Sequence, residues 1–133
     1  MKNIADIRQE YTKSGLRESE LPCDPLSLFS RWLQEAIDAN VEEPTAIIVG
    51  TVSPEGRPST RTVLLKGLHD GKFIFYTNYE SRKGRQLAQN PYISLSFVWH
   101  ELERQVHIEG TAAKVSPEES DEYFQKRPYK SRI

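Results

Sequence analysis

Two stretches of this chain carry the residue types of a phosphate site. Arg61-Thr62-Val63-Leu64-Leu65-Lys66 is a β-rich run with a cation at each end. Tyr76-Thr77-Asn78-Tyr79-Glu80-Ser81-Arg82-Lys83 reads as the end of another strand running into a helix start that bears two more cations. Cations at a helix N-terminus oppose the helix dipole, which costs a few tenths of a kcal/mol, up to ~1. A bound anion removes that conflict, because free N–H groups, dipole and side-chain charges then act together. A solvated basic turn is the other reading of Ser81-Arg82-Lys83, and local sequence does not separate the two.

Arg61 and Lys66 fall on opposite faces of a regular strand. Both can serve one ligand only if the strand bulges or the ligand wraps its end; otherwise one of them is a surface charge. Arg104 and Gln105 open a later strand whose outward face is polar. A Gln carboxamide can donate to and accept from a heteroaromatic ring edge at once, although without other information the reading as a solvent-facing strand residue wins. Tyr123, Arg127 and Ser131 recur every fourth residue, so a helix would align a phenol, a guanidinium and a hydroxyl suited to a phosphate. Pro128 interrupts that helix, and a plain basic tail is the alternative. His100 and His107 lack carboxylate or Cys partners at metal-ligand spacing, so no metal is expected. His69 borders a turn and should be solvated. Cys23 has no nearby His base and reads as a spectator thiol. Trp32 is expected in the core, Trp99 in the core or an interface.

The elements that must position these residues can be read in order. Ile4, Ile7 and Tyr11 suggest a short first helix, and Thr12 to Cys23 a loop with Gly15 and Pro22 as breakers. Asp24-Pro25 is a helix start, with an N-cap carboxylate and Pro at the first position. Leu26, Phe29, Leu33 and Ile37, joined by Trp32 and Ala36, make one apolar face through Asn40. Thr45 to Val52 reads as a buried strand. Ser53-Pro54-Glu55-Gly56 is a turn into a strand from Arg57 to Lys66, so the pair forms a hairpin. Asp70-Gly71 turns the chain into Lys72 to Thr77. A helix follows from Ser81 to Gln89, stopped by Asn90-Pro91. Tyr92 to Trp99 alternates, with Ile93, Leu95 and Phe97 on one face. Glu103 to Val115 is a strand with Val106 and Ile108 opposite Gln105, His107 and Glu109. Ser116-Pro117-Glu118-Glu119 is a capping box. At least five short strands with few crossover helices indicate a mainly β fold, an antiparallel barrel or sandwich with flanking helices.

Composition bounds the partners. The chain has 133 residues, 28% of them charged and 37% hydrophobic, which suits one globular domain. A net charge of −1 gives no bulk attraction to nucleic acid. No apolar run approaches the ~20 residues of a membrane span, and Met1 to Asp6 lacks the apolar core of a signal peptide. The single cysteine fits a reducing compartment, so a cytoplasmic protein is expected. Neither GxGxxG nor GxxxxGK[ST] occurs.

Taken together, Arg8-Gln9-Glu10-Tyr11, Leu21-Pro22-Cys23-Asp24-Pro25, the run Arg61 to Lys66, Tyr76-Thr77-Asn78, Ser81-Arg82-Lys83, Glu103-Arg104-Gln105-Val106 and Tyr123-Phe124-Gln125-Lys126-Arg127-Pro128 resemble the pyridoxine (pyridoxamine) 5′-phosphate oxidase family. The resemblance runs along essentially the whole chain in consistent order. It implies an FMN-binding split β-barrel, working as a homodimer with FMN at the subunit interface. It implies oxidation of pyridoxine or pyridoxamine 5′-phosphate to pyridoxal 5′-phosphate, with O2 as acceptor and hydrogen peroxide as product. By position, Arg61, Thr62, Val63, Leu64, Leu65, Lys66, Tyr76, Thr77, Arg82, Lys83 and Gln105 would hold FMN, Arg82 and Lys83 at its phosphate. Lys66, Tyr123, Arg127 and Ser131 would hold the substrate phosphate. Arg8 and Tyr11 would belong to a mobile segment, residues 1–23, that closes over the substrate. No side chain is assigned a catalytic role beyond orientation and electrostatics, since the flavin carries the redox work.

The family is longer than this chain. Past the stretch matching Ser131-Arg132-Ile133 it continues through further FMN contacts and a strand region with a Trp and an Arg-x-His motif. The 133 residues are therefore expected to form one split-barrel domain without that C-terminal part. Two other functions stay in view: a flavin-binding protein without turnover, and a split-barrel flavin oxidoreductase acting on another substrate.

Overall fold

A computed structural model of the chain describes residues 3–7, 16–21, 24–76 and 90–114. They contain one α-helix, α1 (Pro25–Asp38), and five strands: β1 (Ala46–Val52), β2 (Pro58–His69), β3 (Lys72–Phe75), β4 (Tyr92–Trp99) and β5 (Arg104–Thr111). Short 3-10 turns lie at Ile4–Asp6, Glu18–Glu20 and His100–Leu102. The strands make one five-stranded sheet in the order β3-β2-β1-β4-β5. β1 runs antiparallel to β2 and to β4, and β2 antiparallel to β3. This is the mainly β, antiparallel architecture expected from the strand and turn pattern. The residues group into two compact units, one within Met1–Pro44 and Val98–Gln105, the other within Thr45–Phe97 and Val106–Ile133.

In the first unit, the helix start follows the sequence signal. The Asp24 carboxylate accepts the Leu26 N–H at 3.0 Å and the Ser27 hydroxyl at 3.2 Å, with Pro25 at the first helical position. The helix ends at Asp38, two residues before the expected Asn40, because Asn40 turns left-handed at φ 57°. The Asn40 N–H then reaches the Ile37 carbonyl and the Val41 N–H reaches Ala36, both at 3.1 Å. That is a Schellman closure. Val41 and Ala36, the apolar pair of that motif, are both buried. Along the expected apolar face, Phe29 and Ala36 are buried and Trp32 and Leu33 half-buried, whereas Leu26 and Ile37 at the two ends are exposed. Trp99 is 1% exposed, which decides for the core. Its ring centroid lies 6.0 Å from that of Phe29, tilted by 39°, and its indole N–H donates to the Pro44 carbonyl at 2.8 Å. Of the expected first helix, the described residues show a 3-10 turn, Ile4–Asp6, and residues 8–15 lie outside the described ones. Ile4 and Ile7 are both exposed.

In the second unit, β1 forms the strand expected from its β-branched, apolar run, and it is buried on one face. Ile47, Val49 and Thr51 are buried, but Ile48 between them is 44% exposed, so one face packs and the other is open. The packed face carries Ile47, Val49, Leu65, Leu95 and Phe97. Phe73 of β3 and Phe97 of β4 have ring centroids 6.3 Å apart, although β2 and β1 lie between those strands in the sheet. In a flat sheet three strand spacings separate them by ~14 Å. The sheet therefore curls around these rings, as twisted strands must to enclose a core. Asp70 and Gly71 have φ of 54° and 71°, the double left-handed pair of a type I′ hairpin turn between β2 and β3. Strand ends also moved. β2 runs on to His69 rather than stopping at Lys66, while β3 stops at Phe75 and β5 at Thr111.

The left-handed cap at Asn40 yields a direct check. Asn40→Gly is expected to raise the unfolding free energy by up to ~1 kcal/mol, and Asn40→Val to lower it by about 1–2 kcal/mol. Urea midpoints followed by circular dichroism measure both. Equal midpoints for the two variants would contradict the cap.

Candidate functional site

The run Arg61 to Lys66 lies inside β2. β1 covers one edge of it, with Ala46 opposite Leu64, Ile47 opposite Val63, Ile48 opposite Thr62 and Val49 opposite Arg61. The Leu65 N–H donates to the Thr45 carbonyl at 2.8 Å. In an antiparallel ladder, inward and outward backbone groups alternate. Leu65, Val63 and Arg61 thus direct their N–H and C=O toward β1, and Leu64 and Thr62 direct theirs to the opposite edge. β3 pairs with that edge only from Leu65, opposite Phe75, onward. Among the described residues, no strand covers the edge at Thr62. A strand edge left this way offers a donor and an acceptor to a ligand.

At the end of the run the strand bulges. Leu65 pairs with Phe75 and Gly67 with Ile74, so Lys66 is an extra residue in β2. A bulge interrupts the alternation of side chains and re-aims the residue it contains. It supplies the local condition under which Arg61 and Lys66 need not be confined to opposite faces. Both side chains are exposed, as is Thr62; Val63 is half-buried, Leu64 is 40% exposed and Leu65 belongs to the core. Tyr76 follows β3 and is half-buried. Gln105, in the other unit, is an exposed residue of β5. Thr77, Arg82, Lys83, Arg8, Tyr11, Tyr123, Arg127 and Ser131, with the helices expected at residues 81–89 and from 116, lie outside the described residues.

The open face of the sheet carries groups that the motif reading passed over. Gly50 stands opposite Thr60 on one side and Ser94 on the other. A Cβ built on Gly50 would come within 2.5 Å of the Ser94 hydroxyl. A glycine inside a strand is the sequence signal of such an approach, as Gly67 was of the bulge beside it. Ser96 Oγ lies 2.9 Å from His107 Nδ1, which gives that imidazole a hydroxyl partner. In the first unit, the Arg104 guanidinium sits 4.6 Å from the centroid of Trp32 and pairs with the Glu35 carboxylate. Trp32 and Glu35 share a helix face at i, i+3, but nothing local announces a partner 69 residues further on. Among the described residues no three His, Cys, Asp or Glu side chains come together as metal ligands, and no helix is long and apolar enough to cross a membrane.

The family model described as pyridoxamine 5′-phosphate oxidase matches residues 33–133. The chain belongs to that family. A pyridoxine/pyridoxamine 5′-phosphate oxidase of Bacteroides thetaiotaomicron is 99% identical over 133 residues, all of this chain and 62% of that protein. One from Porphyromonas gingivalis is 58% identical over 131 residues, 98% of this chain and 61% of that protein. The chain thus spans about three-fifths of the length of these curated relatives. Among solved structures, PhzG from Burkholderia lata 383, in complex with tetrahydrophenazine-1-carboxylic acid, superposes with a TM-score of 0.81 at 32% identity, over 87% of this chain and 58% of that one. A pyridoxamine 5′-phosphate oxidase-related, FMN-binding protein from Nostoc punctiforme has the same fold, with a TM-score of 0.65 at 19% identity over 82% of this chain and 62% of its own. The architecture is the FMN-binding split barrel of these oxidase-like proteins.

The donor set on β2 suits the family's cofactor. Arg61 and Lys66 are cations, Thr62 adds a hydroxyl, and the uncovered edge adds backbone groups; together they match an anionic, planar, acceptor-rich molecule such as FMN. Because Arg61 is exposed, Arg61→Gln is expected to change the unfolding free energy by no more than ~0.5 kcal/mol. Fluorescence titration should show FMN affinity falling about tenfold, the size of one charge-assisted bond. A large stability loss with unchanged affinity would assign Arg61 to the fold instead.

Proposed function

We propose that this chain carries the FMN-binding part of an oxidase that converts pyridoxine 5′-phosphate or pyridoxamine 5′-phosphate to pyridoxal 5′-phosphate. The observation that carries the reading is the run Arg61 to Lys66 in a member of this family, cation-flanked, bulged and, among the described residues, partly uncovered. Arg61 to Lys66, Tyr76, Thr77, Arg82, Lys83 and Gln105 hold FMN in this reading. Arg82 and Lys83 neutralise its phosphate, and Gln105 meets a ring edge with its carboxamide. Lys66, Tyr123, Arg127 and Ser131 take the phosphate of the B6 vitamer. Arg8 and Tyr11 close over it and exclude water. When bound, FMN supplies the acceptor for a hydride leaving the substrate's C4′ carbon, and O2 takes the electrons onward to hydrogen peroxide. The chain's own contribution is orientation: reacting atoms held near contact distance replace an improbable encounter with a unimolecular step. The working form in this reading is a cytoplasmic homodimer with FMN at the subunit interface.

A second reading keeps the flavin and changes the substrate. PhzG, similar at 32% identity, is described with a tricyclic carboxylic acid bound. Tyr123, Arg127 and Ser131 favour the phosphorylated substrate in this reading, because a phenol, a guanidinium and a hydroxyl recurring every fourth residue in the sequence suit a phosphate.

The test begins with FMN added to the purified chain. Pyridoxine 5′-phosphate under argon is expected to bleach the flavin bands, and air to restore them with release of peroxide. Flavin bands that persist under argon would leave a binding protein without turnover. Arg82→Ala combined with Lys83→Ala is expected to weaken FMN binding about 100-fold, two charge-assisted bonds of ~1.5 kcal/mol each. Unchanged affinity in that variant would sink the assignment of the phosphate site.

A further inference from the structure

We infer that Arg104 is a positioning residue for the flavin site: clamped between Trp32 and Glu35, it fixes the direction in which Gln105 presents its carboxamide. The inference rests on the proposed role of Gln105 at the flavin. Arg104 and Gln105 are the first two residues of β5, so their side chains leave the strand on opposite sides. Arg104 is half-buried and Gln105 exposed, in keeping with that alternation. On its side, the Arg104 guanidinium lies over the Trp32 ring, 4.6 Å from its centroid, and pairs with Glu35. Ring contact and ion pairing together fix the position of a guanidinium, which a lysine ammonium cannot reproduce.

The residues before Arg104 are tied down as well. Glu103 is left-handed at φ 55°, and its N–H reaches the His100 carbonyl at 3.0 Å. A side-chain residue holds that conformation only where its surroundings demand it. The Glu101 carboxylate accepts the Glu42 N–H at 3.1 Å, and the Trp99 indole N–H reaches Pro44 at 2.8 Å. The strand therefore begins from a fixed point, and the Arg104 clamp sets its heading one residue before Gln105. A carboxamide that must donate and accept together tolerates only small errors of direction.

A double-mutant cycle on the chain, read as FMN dissociation constants by fluorescence, tests this. Gln105→Ala is expected to weaken binding about tenfold, and Arg104→Met and Glu35→Gln by about 3- to 10-fold. The double variant Arg104→Met with Gln105→Ala should bind no worse than Gln105→Ala alone, because the clamp acts through the missing carboxamide. The visible circular dichroism of bound FMN should shift in the same direction for Arg104→Met and Gln105→Ala. If Arg104→Met does not fold, Glu35→Gln alone and with Gln105→Ala completes the same cycle. A clamp penalty that persists at full size without Gln105, or no penalty beside a clear Gln105→Ala effect, overturns the positioning role. No effect of Gln105→Ala, or no FMN uptake by any form, overturns the underlying flavin assignment instead.

Discussion

Among the described residues, β2 is held along one edge by β1 from Pro58 to Leu64, and along its other edge by β3 only from Leu65 onward. Every backbone N–H and C=O must find a partner, and an edge without a strand finds water or a ligand. An open edge is also a hazard, since it can recruit a strand from another chain. Here the stretch is flanked by Arg61 and Lys66 and interrupted by a bulge, both of which discourage a foreign strand. The same features favour an anionic ligand. The flavin reading draws on this asymmetry, because among the described residues it leaves the backbone groups of Thr62 to a ligand.

The rest of the second unit keeps that strand in place. Ile47, Val49, Leu65, Leu95 and Phe97 bury one face, and the contact of Phe73 with Phe97 marks how far the sheet curls. The opposite face stays open, with Ile48 and Leu64 exposed among hydroxyl-bearing neighbours. In the first unit, order comes from aromatic packing and capping. Phe29, Trp99 and the Schellman closure at Asn40 define the helix and its exit, and the Arg104 clamp ties the helix to the start of β5.

Much of this was legible in the sequence, for reasons specific to each element. Asp24-Pro25 announced the helix start because carboxylate cap and proline act within one turn. Its end was misplaced because Asn40 is a less obvious left-handed residue than glycine. β1 was legible as a buried strand from its β-branched, apolar run, but Ile48 is as apolar as Ile47, so only the structure separates the packed face from the open one. The family motifs pointed to Arg61 and Lys66, but the bulge that governs Lys66 depends on cross-strand register, which Gly67 hinted at and did not define. The union of Arg104 with Trp32 and Glu35 was out of reach, because long-range contacts leave no periodic trace.

If the edge of β2 at Thr62, uncovered among the described residues, receives the flavin as proposed, backbone hydrogen exchange reads it residue by residue. On saturation with FMN, the Thr62 amide is expected to gain protection. Arg61, Val63 and Leu65, already directed to β1, should change little. That alternating pattern would place the ligand on the edge. Flavin bound by fluorescence, with the Thr62 amide exchanging as fast as before, would contradict the account.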